Sequence, residues 1–164
     1  MEQSIIRVIN IVPGTSVDGP GLRTSIYVAG CRHRCAGCHN PQTWDFSQGV
    51  EMTVSDIMEV IEENGFNVTL TGGDPLYSLP AITPLVIAVA KAGYTIWLYT
   101  GFTYSRLLEL PGIEKILPYI EAIVDGPFEA DKRDVSLHFR GSSNQRIIDV
   151  KKSLASGEVV TFEY

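Results

Sequence analysis

Cysteine is scarce in this sequence, and so is positive charge. Of 164 residues only three are cysteine and three are histidine, and 13 Lys and Arg face 19 Asp and Glu, a formal net charge of −6. A chain this acidic lacks the basic face of a general nucleic-acid binder. No apolar run approaches the ~20 residues that span a bilayer, and the opening MEQSIIRVIN has no basic-then-apolar signal. These absences leave a soluble, cytoplasmic protein as the expectation, with neither nucleic acid nor membrane as partner. The length also falls short of the about 250 residues of a complete eight-fold barrel. Still, 45% hydrophobic and 20% charged residues permit a real core. With no internal repeat, low-complexity tract or Ser/Gly-rich linker, residues 1–164 read as one domain.

The few cysteines are not scattered. Cys31, Cys35 and Cys38 fall within eight residues, in CRHRCAGC. An odd number packed this closely cannot build a disulfide framework, and a cytosolic setting would keep the thiols reduced. Metal binding or catalysis is the better explanation.

The rest of the chain alternates strand and helix signals. Ser4–Val12 has enough Ile and Val for a strand, and Pro13-Gly14 and Asp18-Gly19-Pro20-Gly21 mark a loop after it. Leu22–Ala29 reads as a strand that runs to Gly30, just before the cysteines. Thr53 followed by Asp56 forms a capping-box signature for a helix carrying Val54, Ile57, Met58 and Ile61, with Gly65 as its stop. Asn67–Thr71 is the next strand, ending in Gly72-Gly73-Asp74-Pro75. Leu79–Ala92 is a buried helix with Pro84 in its first turns, and Tyr94–Tyr99 a strand running into Thr100-Gly101. Short helices are expected over Tyr104–Leu110 and Ile113–Leu117, and a strand over Ile120–Val124 that ends at Asp125-Gly126-Pro127. Val135–Arg140 and Val159–Tyr164 could each add a strand.

This order predicts right-handed βαβ units around a mostly parallel sheet, an α/β fold. Four loops stand at the carboxyl ends of its strands: the cysteine loop, Gly72–Pro75, Thr100-Gly101 and Asp125–Pro127. In parallel sheets and barrels that edge is where ligands bind. One site built from these loops explains their common placement.

The cysteine spacing, C-x3-C-x2-C, suits an iron–sulfur cluster. A 4Fe-4S cluster on three thiolates keeps one iron free to chelate a small molecule. Two other readings stay open at this point. One is a structural zinc site with His33 or His39 as fourth ligand, although zinc modules usually supply two separated ligand pairs. The other is a Cys35–Cys38 redox pair, which leaves Cys31 unexplained.

The same loop resembles that of the radical S-adenosylmethionine superfamily. Asp18–Arg23 (DGPGLR), Ala29–Trp44, Thr71–Pro75 (TGGDP), Val124–Phe128 (VDGPF) and Phe139–Asp149 (FRGSSNQRIID) narrow the resemblance to the activating proteins of glycyl radical enzymes. It spans roughly residues 5–150. The resemblance implies a partial (incomplete) βα barrel of the radical SAM type. It implies a 4Fe-4S cluster on Cys31, Cys35 and Cys38, with S-adenosyl-L-methionine chelated at the open iron. Gly72, Gly73 and Asp74 match the family's motif beside the methionine amino group, and Gly37, Cys38 and His39 the stretch that contacts the adenosine end. Thr100 and Asp125 match strand-end positions that touch the ligand in larger relatives. Gly37 stands where many members carry an aromatic, and Pro127 where larger activases carry Lys.

The implied reaction is radical generation. One electron from flavodoxin or a similar carrier cleaves S-adenosylmethionine to methionine and a 5′-deoxyadenosyl radical. The radical takes hydrogen from a glycine on a large partner chain, that of an anaerobic ribonucleoside-triphosphate reductase. No protein acid or base is needed, so no catalytic side chain is assigned. The alternatives are an activator of another glycyl radical enzyme, such as pyruvate formate-lyase, and a short radical SAM enzyme acting on a small molecule. His33 and His39 read as loop hydrogen-bonders. Arg140, Asn144, Gln145 and Arg146 read equally as partner or rim contacts and as a solvated polar loop, and no physical need for Asn144 and Gln145 follows from the sequence.

Overall fold

The computed structural model describes residues 4–33, 35–38 and 41–164, apart from the side chain of Gln42. Seven strands form one sheet: β1 (Ile5–Thr15), β2 (Arg23–Val28), β3 (Val50–Thr53), β4 (Asn67–Gly72), β5 (Ile96–Tyr99), β6 (Ala122–Asp125) and β7 (Arg146–Asp149). Their order is β3-β1-β2-β4-β5-β6-β7. The pairs β2–β4, β4–β5 and β5–β6 are parallel. The outer pairs β1–β2, β1–β3 and β6–β7 are antiparallel. A parallel centre thus carries antiparallel additions on both sides. β3 and β7 stand at opposite edges, so the sheet is not closed into a barrel.

Helices α1 (Val54–Asn64), α2 (Leu79–Lys91), α3 (Tyr104–Leu107) and α4 (Val150–Ser156) connect or follow the strands. The start of α1 is the one its sequence announces. Thr53 Oγ1 accepts from the Asp56 N–H, the Asp56 carboxylate accepts from the Thr53 N–H, and Gly65 ends the helix in left-handed backbone. Helix spacing then turns Ile57 and Ile61 onto the sheet, where both are fully buried. Each such side chain is worth about 1.5–3 kcal/mol. Strand alternation divides β5 between two cores. Ile96 and Leu98 join the large cluster beneath α1 and α2, while Trp97 points to the opposite face with Ala122, Val124 and Ile147.

On that second face Arg23 is buried. Its Nε donates to Thr69 Oγ1 (2.9 Å), its Nη2 to the Val68 carbonyl (2.8 Å), and its guanidinium lies 5.6 Å from the Trp97 ring centre. Burial lowers its pKa, but the fixed acceptors compensate the lost water.

Several expectations are corrected. β1 continues past Pro13-Gly14 to Thr15, because register shifts at Val8/Asn10 and Val12/Thr15 absorb the irregularity against β2. Val135–Arg140 is not a strand: Asp134 folds it into a turn by accepting from Ser136 N–H and Oγ–H, and Phe139 takes left-handed backbone (φ 63°). The free side of β6 is taken instead by Arg146–Asp149, which sequence periodicity leaves unmarked. Val159–Tyr164 contributes only the bridge Ile148–Thr161. The helix expected over Tyr104–Leu110 stops at Leu107, and Ile113–Leu117 is replaced by two 3-10 turns around Pro118.

Candidate active site

The parallel strands β2, β4, β5 and β6 all run the same way, so the four marked loops emerge at one end of the sheet. The cysteine loop is pinned at its base. Gly30 N–H donates to the Thr43 carbonyl (2.6 Å) and Cys31 N–H to the Trp44 carbonyl (3.1 Å), which brings both ends of the loop together. From β4, Gly73 N–H donates to the Val28 carbonyl (2.9 Å) and Asp74 N–H to the Gly30 carbonyl (2.8 Å). The loop carrying the thiols is therefore stitched to the glycine-rich loop beside it.

A cavity of about 120 Å³ opens between the four loops. Its walls include Cys31, Cys35, Cys38, Gly72, Gly73 and Thr100, as the sequence leads one to expect. His33, Thr71, Tyr99, Gly101, Gly126, Phe128 and Gln145 complete the lining. A second cavity of about 330 Å³ adjoins it, sharing Cys38, Thr71, Tyr99, Phe128 and Gln145 and reaching Asp18, Phe139 and Arg140. Asp18 belongs to a small polar group there: its Oδ2 accepts from Ser25 Oγ–H (3.0 Å) and Tyr27 O–H (2.8 Å). A larger open hollow of about 890 Å³ lies at the other end of the strands, near Tyr94, Tyr119 and Leu154, and contains no thiol.

The three cysteines form no disulfide. Burial pushes the Cys35 thiol up, and a hydrogen bond from the Phe128 backbone N–H works against that rise. Among the described residues no three His, Cys, Asp or Glu converge on one point as ligands of a single ion do. The three cysteines on the wall of that one cavity supply soft sulfur donors, the ligand type that iron–sulfur clusters use.

Gly37, Asp74 and Asp125 do not line the cavity; they surround it. Asp74 is 1% exposed, and its carboxylate is fully engaged. Oδ2 accepts from Thr100 Oγ1–H (2.9 Å) and Gly101 N–H (2.9 Å) and lies 2.6 Å from His33 Nε2, while Oδ1 accepts from Leu76 N–H (3.0 Å). This carboxylate ties the first, second and third loops together. Asp125 does the same for the fourth. It accepts from the Tyr104 N–H (2.9 Å) and holds the Arg146 guanidinium at 2.8 and 3.2 Å, an ion pair that raises the Arg146 pKa. His39 lies outside the described residues.

The need for Gly72 and Gly73 comes from protein backbone. A Cβ built on Gly73 would stand 2.5 Å from the Gly30 carbonyl oxygen, and one on Gly72 would strike Val28. The glycines let the β4 loop lie directly against the start of the cysteine loop. Tyr99, Phe128 and Gln145 are the lining residues that sequence reasoning missed. Tyr99 carried a signal, since it ends a strand and alternates with core positions. Phe128 and Gln145 sit in irregular segments of the VDGPF and FRGSSNQRIID blocks, where no periodicity says which side chain faces the site.

The chain matches the family described as "4Fe-4S single cluster domain" over residues 17–148. It is 37% identical over 149 residues to the anaerobic ribonucleoside-triphosphate reductase-activating protein of Pasteurella multocida, covering 85% of this chain and 94% of that one. The protein of the same name from Vibrio cholerae is 38% identical over 143 residues, covering 80% and 90%. That of Escherichia coli K12 is 38% identical over 146 residues, covering 81% and 92%. Among solved structures, QueE from Escherichia coli superposes with a TM-score of 0.50 at 20% identity, over 60% of this chain and 53% of that one, a likeness of fold. Identity at this level over most of both chains, with the family match over residues 17–148, places the chain in the 4Fe-4S single-cluster family, among the anaerobic ribonucleoside-triphosphate reductase-activating proteins.

Proposed function

We propose that this chain activates an anaerobic ribonucleoside-triphosphate reductase by generating a glycyl radical on it. The observation that carries the reading is the set of three cysteines, none in a disulfide, on the wall of one cavity at the carboxyl ends of four parallel strands. It is supported by the activating proteins to which nearly the whole chain is similar. In this reading Cys31, Cys35 and Cys38 hold a 4Fe-4S cluster. S-adenosylmethionine lies in the adjoining cavities, with Gly37, Gly72, Gly73 and Thr100 around it. When bound, the cluster supplies the single electron that cleaves S-adenosylmethionine and yields the hydrogen-abstracting radical.

The chain's own residues then have three tasks. Asp74 and Asp125 brace the loops that shape the cavity, and they act through the groups they hold. Tyr99 and Thr71 wall the passage between the two cavities. Asp18, held by Ser25 and Tyr27, presents an acceptor in the second cavity. The open sheet edge leaves room for a polypeptide loop from the reductase, and a carrier such as flavodoxin delivers the electron.

The test is anaerobic reconstitution with iron and sulfide, followed by electron paramagnetic resonance of the reduced protein. A reduced 4Fe-4S signal that changes shape on adding S-adenosylmethionine, and then a glycyl radical on the added reductase, is the expected result. A signal that responds to S-adenosylmethionine without any glycyl radical favours a small-molecule enzyme. A colourless protein holding zinc overturns the reading.

A further inference from the structure

The cysteine loop and the segment after β6 meet at Gly37, which stands between Cys35 and Cys38. Its backbone is left-handed (φ 76°), and a Cβ built there would stand 3.3 Å from Phe128 Cε1 and 3.6 Å from the Ala130 Cβ. The Phe128 ring thus occupies the side of Gly37 that a side chain would fill, and a larger residue at 37 would press on it.

The segment that carries the ring is held on both sides. Asn144 Nδ2 donates to the Pro127 carbonyl (2.8 Å) and Gln145 Nε2 to the Gly126 carbonyl (3.1 Å), while Ser142 Oγ accepts from the Glu129 N–H (3.2 Å). A ring fixed before its ligand arrives loses little freedom on binding.

Phe128 lines both cavities, at the passage walled also by Cys38, Thr71, Tyr99 and Gln145. The smaller cavity, about 120 Å³, falls below the roughly 300–1,000 Å³ of a small-molecule pocket. A ligand whose amino-acid end sits there beside Gly72 and Gly73 must pass its other end through that passage. In S-adenosylmethionine the other end is adenine, a flat π system with polar edges. Among the described residues three aromatics line the larger cavity. Tyr99 and Phe139 pack against the Trp97 cluster, and the Tyr99 O–H donates to the Phe139 carbonyl (2.8 Å). Phe128 reaches the passage from the irregular segment after β6 and lies against the cysteine loop.

We infer that the Phe128 ring is the face on which the adenine of S-adenosylmethionine stacks, and that residue 37 is glycine to seat that ring. The inference rests on the reading that the cluster and S-adenosylmethionine occupy these cavities.

The test measures equilibrium binding of three probes, S-adenosylmethionine, S-adenosylhomocysteine and methionine, to the anaerobically reconstituted chain of known iron and sulfide content. Phe128→Leu keeps apolar bulk and removes the π face, and Phe128→Tyr keeps the ring. Phe128→Leu should weaken both S-adenosyl compounds by about tenfold and leave methionine unchanged, as for the loss of one base–aromatic stack. Phe128→Tyr should bind all three as wild type does. Equal binding of S-adenosylmethionine by wild type and Phe128→Leu overturns the inference and leaves the activase reading standing. So does a loss confined to S-adenosylmethionine, which marks a contact with its sulfonium charge, or an equal loss for methionine, which marks a disturbed cluster. A Phe128→Tyr variant as weak as Phe128→Leu also overturns it. If Phe128→Leu loads no cluster, a crystal structure of the loaded wild type with S-adenosylmethionine decides, and an adenine out of ring contact with Phe128 overturns the inference. A wild type that loads a cluster yet binds no S-adenosylmethionine overturns the activase reading itself.

Discussion

His33 Nε2 lies 2.6 Å from Asp74 Oδ2, so the cysteine loop is fastened through an imidazole to the carboxylate that also holds Thr100 and Gly101. The ring is wedged among aromatics, 4.7 Å from Phe102 and 5.1 Å from Tyr77 between ring centres. Replacing His33 by Ala removes one partner of a buried carboxylate and the packing around it. A loss of about 1–3 kcal/mol is expected in urea unfolding. Cluster loading should fall with it, read as iron per chain after reconstitution. Unchanged loading would show that the cysteine loop holds its shape without this tie.

Gly73→Ala tests the close approach of the two loops. The added methyl meets backbone that cannot swing aside, because the Gly30 carbonyl is itself bonded to Asp74 N–H. The expected cost is about 1–3 kcal/mol, typical of overpacking, with weaker iron retention. The same substitution at exposed Gly157, which also caps a helix in left-handed backbone, should lower stability but leave iron content alone.

Arg146→Met leaves the Asp125 carboxylate buried with backbone donors alone among the described residues, the Tyr104 N–H and the N–H of residue 146. Breaking a fully buried pair costs about 3–5 kcal/mol; here about 2 kcal/mol is expected, since the Arg146 side chain is 43% exposed. Adding Asp125→Asn should recover part of the loss, because a neutral amide tolerates burial better. A double variant no more stable than Arg146→Met would show that the pair is not the relevant coupling.

Tyr27 and Tyr99 predict a fall in stability at alkaline pH. Burial first, and the Asp18 charge second, raise both phenol pKa values above the usual range. The unfolded chain releases these protons near pH 10 while the folded chain keeps them, so their contribution is intact below that pH and lost as pH rises. Absorbance at the tyrosinate band should show two phenols that titrate only as the protein unfolds. Tyr27→Phe should flatten the alkaline dependence.

Much of this was legible in order along the chain. The capping box at Thr53 and Asp56, the periodic Val54, Ile57 and Ile61, and Gly65 fixed α1 because each acts within a few residues. The strand ends at Gly72, Thr100 and Asp125 were marked by Gly and Asp punctuation, and their common side follows from parallel pairing. β7 was not legible. Its four residues form a strand because β6 has a free edge, and nothing within Arg146–Asp149 announces that edge.

The three cysteines at their spacing, with the glycine-rich loop after β4, were set by the sequence alone, since the chemistry of sulfur and the need for a bare Cα belong to residue type. Which side chains face the cavity was decided only by the tertiary structure. Asp74 and Asp125 look like ligands in the sequence, yet four-way hydrogen bonding turns them into braces. Asn144 and Gln145 look like a solvated polar loop, yet they donate to the Pro127 and Gly126 carbonyls of the loop that walls the cavity. The reason is the same in each case: a polar side chain's role depends on which partners reach it, and apart from the Leu76 N–H on Asp74 these partners lie 17–41 residues away along the chain.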